Sequence, residues 1–201
     1  MGETKESAKK NPLVKWFWIH LIVVATLIVG MFTLTKMSRE RASGADTVVY
    51  IVRHAEKNTS ENAGPDPALT DAGQNRALVL AEILRGNNIT HVYSSDYIRT
   101  RDTAAPTAKN AGVPVVLYDP RDLRALAERI KQQNGRYLVV GHSNTIRETV
   151  QALGAIITDL PVYEKSEYDR FYQVLLVPGR QTTVRLRRYG QRYVPTTLAD
   201  E

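Results

Sequence analysis

The 201-residue chain contains no cysteine. Disulfide bonds and thiolate metal sites are therefore excluded, and thiol content says nothing about the compartment in which the protein works. Internal repeats and low-complexity tracts are also missing. The chain is long enough for one domain with a proper core plus an appendage, but two large domains would not fit comfortably.

Charge is missing from one long stretch near the start, WFWIHLIVVATLIVGMFTLT. A run of about 20 such residues can cross a hydrocarbon core of about 30 Å. Trp16 and Trp18 suit the interfacial aromatic belt, and lysines precede the run. The pattern predicts a cytoplasmic tail over 1–15, a transmembrane anchor over 16–35, a linker over 36–45 and a domain over 46–201.

A cleavable signal peptide is the alternative reading, because Ser43-Gly44-Ala45 has the small residues of a processing site. The apolar run is longer than a usual signal core, and the charged KMSRER separates it from these small residues, so an uncleaved anchor fits better. With the short tail in the cytoplasm, we expect a single-pass membrane protein whose domain is extracytoplasmic, in the periplasm.

The formal net charge of +6 raises the possibility of nucleic-acid binding. Residues 1–45 hold seven Lys/Arg against three Glu, so +4 of this charge flanks the apolar run and only +2 belongs to the rest. The later arginines at 180, 185, 187, 188 and 192 are typical of a solvated strand face. No nucleic-acid partner is expected.

The domain alternates apolar β-branched runs with helical patterns. Strands are predicted at 47–53, 90–95, 113–118 and 136–141, and helices at 70–86, 97–110, from Asp119 onward and at 144–154. Such βαβ units imply a mainly parallel sheet covered on both faces, and the end of the chain predicts an edge hairpin around Pro178-Gly179. The predicted fold is a three-layer α/β sandwich with a mostly parallel mixed sheet.

Polar side chains follow the predicted strands where each one ends. Arg53 and His54 follow the first, Arg99 lies in SSDYIRTRDTA after the second, and His142 lies in VVGHSNT after the fourth. Because ligands bind at the carboxyl ends of such strands, we expect two imidazoles and a guanidinium pair to meet there.

This set suits phosphoryl transfer. Guanidinium groups offer forked donors to phosphate oxygens, and the helix start after Ser143 and Asn144 would add free N–H groups. A neutral imidazole, His54, is a competent nucleophile when its other nitrogen is fixed. A metal site built from His54, Glu56 and His142 is disfavoured because the neighbouring arginines would repel a cation, so neither metal nor cofactor is expected.

The motifs and their order resemble the histidine phosphatase superfamily, the phosphoglycerate mutase-like group. The Arg-His-Gly/Ala-Glu motif stands as Arg53-His54-Ala55-Glu56, and Leu-Thr-x-x-Gly stands in LTDAGQNRA from Leu69. The second arginine motif matches SSDYIRTRDTA, and the second histidine motif appears as Gly141-His142-Ser143-Asn144. The resemblance covers residues 47–154.

The resemblance implies that His54 accepts the phosphoryl group and that Arg53, Arg99 and His142 complete the phosphate pocket. Asp96, Tyr97 and Asp102 depart from the Pro, Leu and Gln of the family pattern. Arg101 is a second possible arginine, but residues 99 and 101 point about 200° apart on a helix, so only one can enter the pocket. The motif alignment selects Arg99.

The general acid stays open at this point. Some branches of the family place an Asp directly after the second histidine, where this chain has Ser143. Other branches carry a Glu after the third strand, where this chain has Asp119, which could equally cap the following helix. Glu56 is the competing acid.

The interval between the third strand and His142 has room for one helix only, whereas family mutases generally insert a lid there. The resemblance therefore implies a small, lidless branch with an open pocket. It favours hydrolysis of a phosphorylated small molecule or a phosphoprotein over phosphoglycerate mutase-type phosphotransfer. A membrane-tethered, non-catalytic phosphate-binding module is the alternative from another functional class.

Overall fold

The computed structural model describes residues 16, 21, 23–28, 30–31, 46–157 and 161–194. Residues 1–43 and residues 44–201 form two separate compact units. The described residues of the first unit are helical, and no helix in the described part of the chain is long and apolar enough to span a membrane. Most of the predicted tail, anchor and linker lies outside the described residues, so the membrane anchor stays a prediction.

The second unit contains a mixed sheet of six strands in the order β3-β2-β4-β1-β5-β6. Strands β1 to β4 are mutually parallel, and β5 and β6 run antiparallel to their neighbours. Their bounds are Thr47–Arg53, His91–Ser95, Val115–Tyr118, Arg136–Gly141, Arg170–Leu176 and Thr183–Arg188. The α/β class, the mixed sheet and the edge hairpin are confirmed.

Four helices connect the strands, and their bounds are Asp71–Leu84 for α1, Ile98–Ala111 for α2, Leu123–Gln132 for α3 and Ile146–Ala152 for α4. A short 3₁₀ turn, Arg85–Asn87, follows α1. Thr70 caps α1 as predicted, since its side chain accepts a hydrogen bond from the backbone N–H of Gly73. Pro106 lies inside α2.

The start of α3 differs from the prediction. Asp122, not Asp119, is the N-cap, and its carboxylate accepts from the backbone N–H of Ala125. Asp119 instead closes a turn, in which its carbonyl accepts from the N–H of Asp122 and its carboxylate accepts from the N–H of Arg121. Pro120 therefore belongs to this turn and not to α3.

Two apolar cores lie on opposite faces of the sheet. Alternate residues of β1 divide between them: Val49 and Ile51 pack with residues of α3 and α4, whereas Val48, Tyr50 and Val52 pack with residues of α1 and α2. This alternation follows from the two-residue period of a strand. Because both faces are covered, β1 is buried over its whole length.

Candidate active site

The strand order places the ends of β1, β4 and β2 side by side. Arg53, the last residue of β1, pairs with Gly141, the last residue of β4, and the backbone N–H of His54 continues the ladder to the carbonyl of Gly141 at 2.9 Å. On the other side of β4, Ser94 of β2 pairs with Val140. The residues that follow these three strands therefore meet at one rim.

His54 lies almost fully buried at this rim, with 4% of its surface exposed. Its Nδ1 lies 2.8 Å from the backbone carbonyl of Ala55, which can only accept, so Nδ1 carries the proton and Nε2 keeps its lone pair. Burial, together with the nearby cations Arg53 and Arg99, lowers the pKa of His54 to about 3. His54 is therefore a neutral imidazole with a free Nε2 at neutral pH.

His142 stands opposite, with its ring centroid 5.5 Å from that of His54. Its Nε2 lies 2.9 Å from the hydroxyl of Ser95, which leaves Nδ1 as the nitrogen that can face a ligand. Burial, and then the charges of Arg99 and Arg53, lower the pKa of His142 to about 4. The sequence prediction that the two imidazoles meet agrees with this arrangement.

Arg53 points into the same region from the end of β1. Its two terminal nitrogens donate to the carbonyls of Glu164, Lys165 and Glu167 at 2.9–3.2 Å. Its Nε is buried and has no hydrogen-bond acceptor. The guanidinium also lies 4.2 Å from the ring centroid of Tyr168. Three of the five N–H groups of Arg53 thus fix a loop, and its Nε–H has no acceptor in the protein.

That loop, residues 161–168, lies beside the site, and we call it the cover segment. Arg170 holds its first part by donating to the carbonyls of Pro161 and Val162, and Arg53 holds its last part. Tyr168 then packs 5.9 Å from the ring of His54. One helix alone connects β3 and β4, as predicted, and the open pocket stays a prediction; the sequence did not predict that Tyr168, from the segment between α4 and β5, packs beside His54.

Arg99 approaches from the first turn of α2. Its terminal nitrogen donates to Asp66 at 3.1 Å, its guanidinium lies 4.4 Å from the ring centroid of Tyr97, and its Nε is buried without an acceptor. Arg101 points away and pairs with Asp96 on the surface. This geometry agrees with the choice of Arg99 over Arg101, because Arg99, and not Arg101, is among the charges that lower the pKa of both imidazoles.

Glu56 is held in an ion pair, which argues against its prediction as the general acid. The Nε of Arg76 donates to both of its carboxylate oxygens at 2.9 Å, and a terminal nitrogen of Arg76 lies 2.8 Å from one of them. A forked guanidinium fixes the orientation of the carboxylate that it binds. Glu56 would have to leave Arg76 before it could donate a proton to a leaving group at His54.

Asp119 lies on the surface after β3, three strands from β1. With about 4.8 Å between strands, its backbone stands about 14 Å across the sheet from that of His54. Its carboxylate accepts from the side chain of Arg121, and this hydrogen bond lowers the pKa of Asp119. The hydrogen bonds described for the Asp119 carboxylate go to Arg121, and its role as the general acid stays a prediction.

Ser143 and Asn144 follow His142 but do not open a helix, because α4 begins only at Ile146. The N–H groups of Thr145 and Ile146 bond to the carbonyl of His142. Two N–H groups at this helix start are thus used within the chain, and the predicted free N–H groups stay a prediction. Ser143 and Asn144 instead line a cavity of about 190 Å³ between α4 and the cover segment.

A metal site is not assembled from the predicted residues. Within the part of the chain that the structure describes, no three His, Asp or Glu side chains are grouped to hold a metal ion. His54 and His142 each use one ring nitrogen in a protein contact, and Glu56 is occupied by Arg76.

Sequence reasoning missed several residues that shape the site. Ser95, which contacts His142, belongs to the second arginine motif and could have been found from it. Asp66, which pairs with Arg99, stands shortly before the Leu69-Thr70 motif. In the sequence, Tyr97 stands out only as a departure from the family motif, yet its ring centroid lies 4.9 Å from that of His142. Tyr168 lies outside every motif, and no local signal marks it.

A family model described as the histidine phosphatase superfamily, branch 1, matches residues 49–122. The match begins within β1 and therefore includes the Arg53-His54-Ala55-Glu56 motif and the second arginine motif.

Curated relatives match over a similar stretch. A probable phosphoglycerate mutase GpmB from Erwinia tasmaniensis is 43% identical over 91 residues, which are 42% of this chain and 40% of the relative. The corresponding protein from Photorhabdus laumondii is 36% identical over 77 residues, 36% of this chain and 35% of the relative. The chain thus spans well under half the length of these relatives.

Solved structures share the fold at low identity. The putative phosphohistidine phosphatase SixA of Nakamurella multipartitia has a TM-score of 0.54 and 20% identity, covering 75% of this chain and 98% of its own. A mycobacterial glucosyl-3-phosphoglycerate phosphatase has a TM-score of 0.53 and 16% identity, covering 72% and 99%. The chain is thus similar to the histidine phosphatase superfamily in its motifs and over residues 49–122, and it shares its fold with these solved structures.

Proposed function

We propose that the domain is a phosphatase that hydrolyses a phosphomonoester or a protein-bound phosphate through a phosphohistidine on His54. The match of residues 49–122 to the histidine phosphatase model supports phosphatase or phosphotransferase activity. The observation that carries the narrower proposal is the pairing of a free imidazole lone pair with two buried guanidinium N–H groups that lack acceptors.

Those N–H groups belong to Arg53 and Arg99, and both cations act electrostatically on both imidazoles. Leaving a buried charged donor unsatisfied is costly, so an anion placed among these groups gains two charge-assisted hydrogen bonds. A phosphoryl group has equatorial oxygens for this purpose and a phosphorus atom open to attack. The same donors would stabilise the charge of the transition state.

In the first step, Nε2 of His54 attacks phosphorus while the bond from phosphorus to the leaving group breaks. The hydrogen bond from Nδ1 to the Ala55 carbonyl stabilises the positive charge that the imidazole gains. In the second step, water attacks the phosphohistidine, and inorganic phosphate leaves. The imidazole then returns to its neutral form.

Proton donation to the leaving group limits which substrates this site can use. Glu56 is held by Arg76, Asp66 by Arg99 and by the N–H of Ile98, and Asp119 by Arg121 on the surface. None of these carboxyl groups is free to act as an acid at His54. The arrangement favours substrates whose leaving group departs without strong acid assistance, such as an aryl phosphate or a phosphoramidate.

Phosphotransfer to a second hydroxyl is the other candidate function, because the curated relatives are named probable phosphoglycerate mutases. It shares the phosphohistidine step and differs only in the acceptor. The chain covers at most two fifths of these relatives, so hydrolysis, which needs no second substrate site, is the activity we propose.

The buried environment predicts unusual titration of the two imidazoles. A lowered pKa keeps a base neutral to lower pH, so His54 and His142 should stay unprotonated across the neutral range and titrate with midpoints of about 3 and about 4. A pH titration of the free protein, followed by nitrogen-15 NMR of the imidazole rings, measures this directly. A midpoint near 6.5 for either ring would contradict the described environment.

Replacing the nucleophile should abolish turnover. We expect His54→Ala to lose hydrolysis of 4-nitrophenyl phosphate, because the proposed first step needs the lone pair on Nε2 of His54 to attack phosphorus. His91→Ala is the matched control, since His91 begins β2, at the opposite end of that strand from the site. Unchanged turnover in His54→Ala would sink the assignment.

The two arginines of the second motif should behave differently. Arg99→Met removes a donor to the phosphoryl group and should lower kcat/KM for the aryl phosphate by about 10²-fold. Arg101→Met removes only a surface pair with Asp96 and should leave kcat/KM close to that of the wild type. Equal losses in the two variants, measured by steady-state kinetics, would refute the choice of Arg99.

A further inference from the structure

We propose that Arg76 and Glu56 form a positioning pair that holds the Ala55 peptide in place and thereby fixes the tautomer of His54. The inference rests on the proposed function for its effect on turnover, because that function gives His54 the nucleophilic role. It assigns Glu56 a structural task in catalysis in place of proton donation.

The side chains of Arg76 and Glu56 are in direct contact. Arg76 lies in α1 and is buried, with 7% of its surface exposed, and three of its contacts to the Glu56 carboxylate measure 2.8–2.9 Å. A forked guanidinium on a carboxylate fixes orientation as well as distance. The Glu56 side chain therefore has little freedom to rotate toward His54.

Arg76 is itself anchored by the backbone. Its terminal nitrogens donate to the carbonyls of Tyr189 and Gln191, each at 2.9 Å. Gly190 between them has a φ of +64°, and a Cβ there would lie 2.9 Å from a terminal nitrogen of Arg76. The chain after β6 is thus shaped around this guanidinium, and Arg76 is held from both sides.

The backbone of Ala55 and Glu56 is also held by its neighbours. The carbonyl of Glu56 accepts from the N–H of Thr70 at 2.9 Å, and α1 packs so closely on it that a Cβ at Gly73 would lie 2.2 Å away. The N–H of Ala55 donates to the hydroxyl of Thr103 at 2.9 Å. Together with the Glu56 side chain, these contacts fix both ends of the Ala55–Glu56 segment.

The consequence falls on the Ala55 carbonyl, which is the acceptor for Nδ1 of His54. If that carbonyl turns away, the proton can move to Nε2, and the nitrogen that must attack phosphorus loses its lone pair. A small displacement of a reacting group far from its cause can cost about 10²-fold in rate. Arg76 and Glu56 therefore act on the reaction through Ala55 and His54.

The test compares Arg76→Met and Glu56→Gln with the wild type on two substrates, 4-nitrophenyl phosphate and an alkyl phosphate. A positioning pair predicts that kcat falls for both substrates by a similar factor, about 10²-fold in Arg76→Met, with little change in KM. If Glu56 were the general acid, Glu56→Gln would lose turnover of the alkyl phosphate and keep that of the aryl phosphate. That selective loss would overturn the proposal.

Nitrogen-15 NMR of the His54 ring provides a readout that does not depend on turnover. The wild type should show the tautomer protonated at Nδ1, and both variants should show increased protonation at Nε2. Glu56→Gln keeps the size of the side chain and one acceptor oxygen, so it carries the test if Arg76→Met does not fold, as judged by circular dichroism. An unchanged tautomer in a folded variant would refute the positioning role.

Arg85→Met is the matched control, because Arg85 follows α1 directly and pairs with Glu82 in an exposed ion pair. It should leave both kcat and the tautomer unchanged. Failure of the proposed function would appear separately, as absence of turnover in the wild type. The tautomer comparison would still decide whether Arg76 and Glu56 position His54.

Discussion

The parallel pairing of β1 with β4 is the constraint on which the site depends. Its register ends with Arg53 opposite Gly141, and one further hydrogen bond ties the N–H of His54 to the Gly141 carbonyl. His142 follows β4 directly, so this register brings the two imidazoles to the same rim, where their ring centroids lie 5.5 Å apart. A slip by one residue would turn every side chain of β1 to the other face and remove both the core and the site.

Burial supplies the electrostatics that this geometry requires. The two imidazoles stay neutral because burial disfavours protonation of the rings, and the two neighbouring guanidinium groups disfavour it further. The cations are held by other groups as well: Asp66 pairs with Arg99, and main-chain carbonyls of the cover segment accept from Arg53. Each arginine keeps its Nε–H for an anion.

The sequence predicted the sheet, the edge hairpin and the convergence of His54, His142, Arg53 and Arg99, because strand ends and motif residues are local signals. It could not predict which carboxylates are paired, since Arg76 in α1 contacts Glu56, which lies 20 residues earlier, after β1. The cover segment escaped for the same reason: Arg53 and Tyr168 meet through a tertiary contact that no motif encodes. The prediction that Asp119 caps the helix is wrong, because Asp122, three residues later, is the N-cap.

The central claim is that the phosphoryl group passes through His54. Its most direct measurement is to mix the protein with a phosphorus-32-labelled aryl phosphate, quench the reaction with alkaline denaturant and identify the labelled peptide. The account predicts a label on His54 that survives base and is lost in acid. A label on a serine or aspartate in an enzyme that turns over, or the same label in His54→Ala, would contradict it.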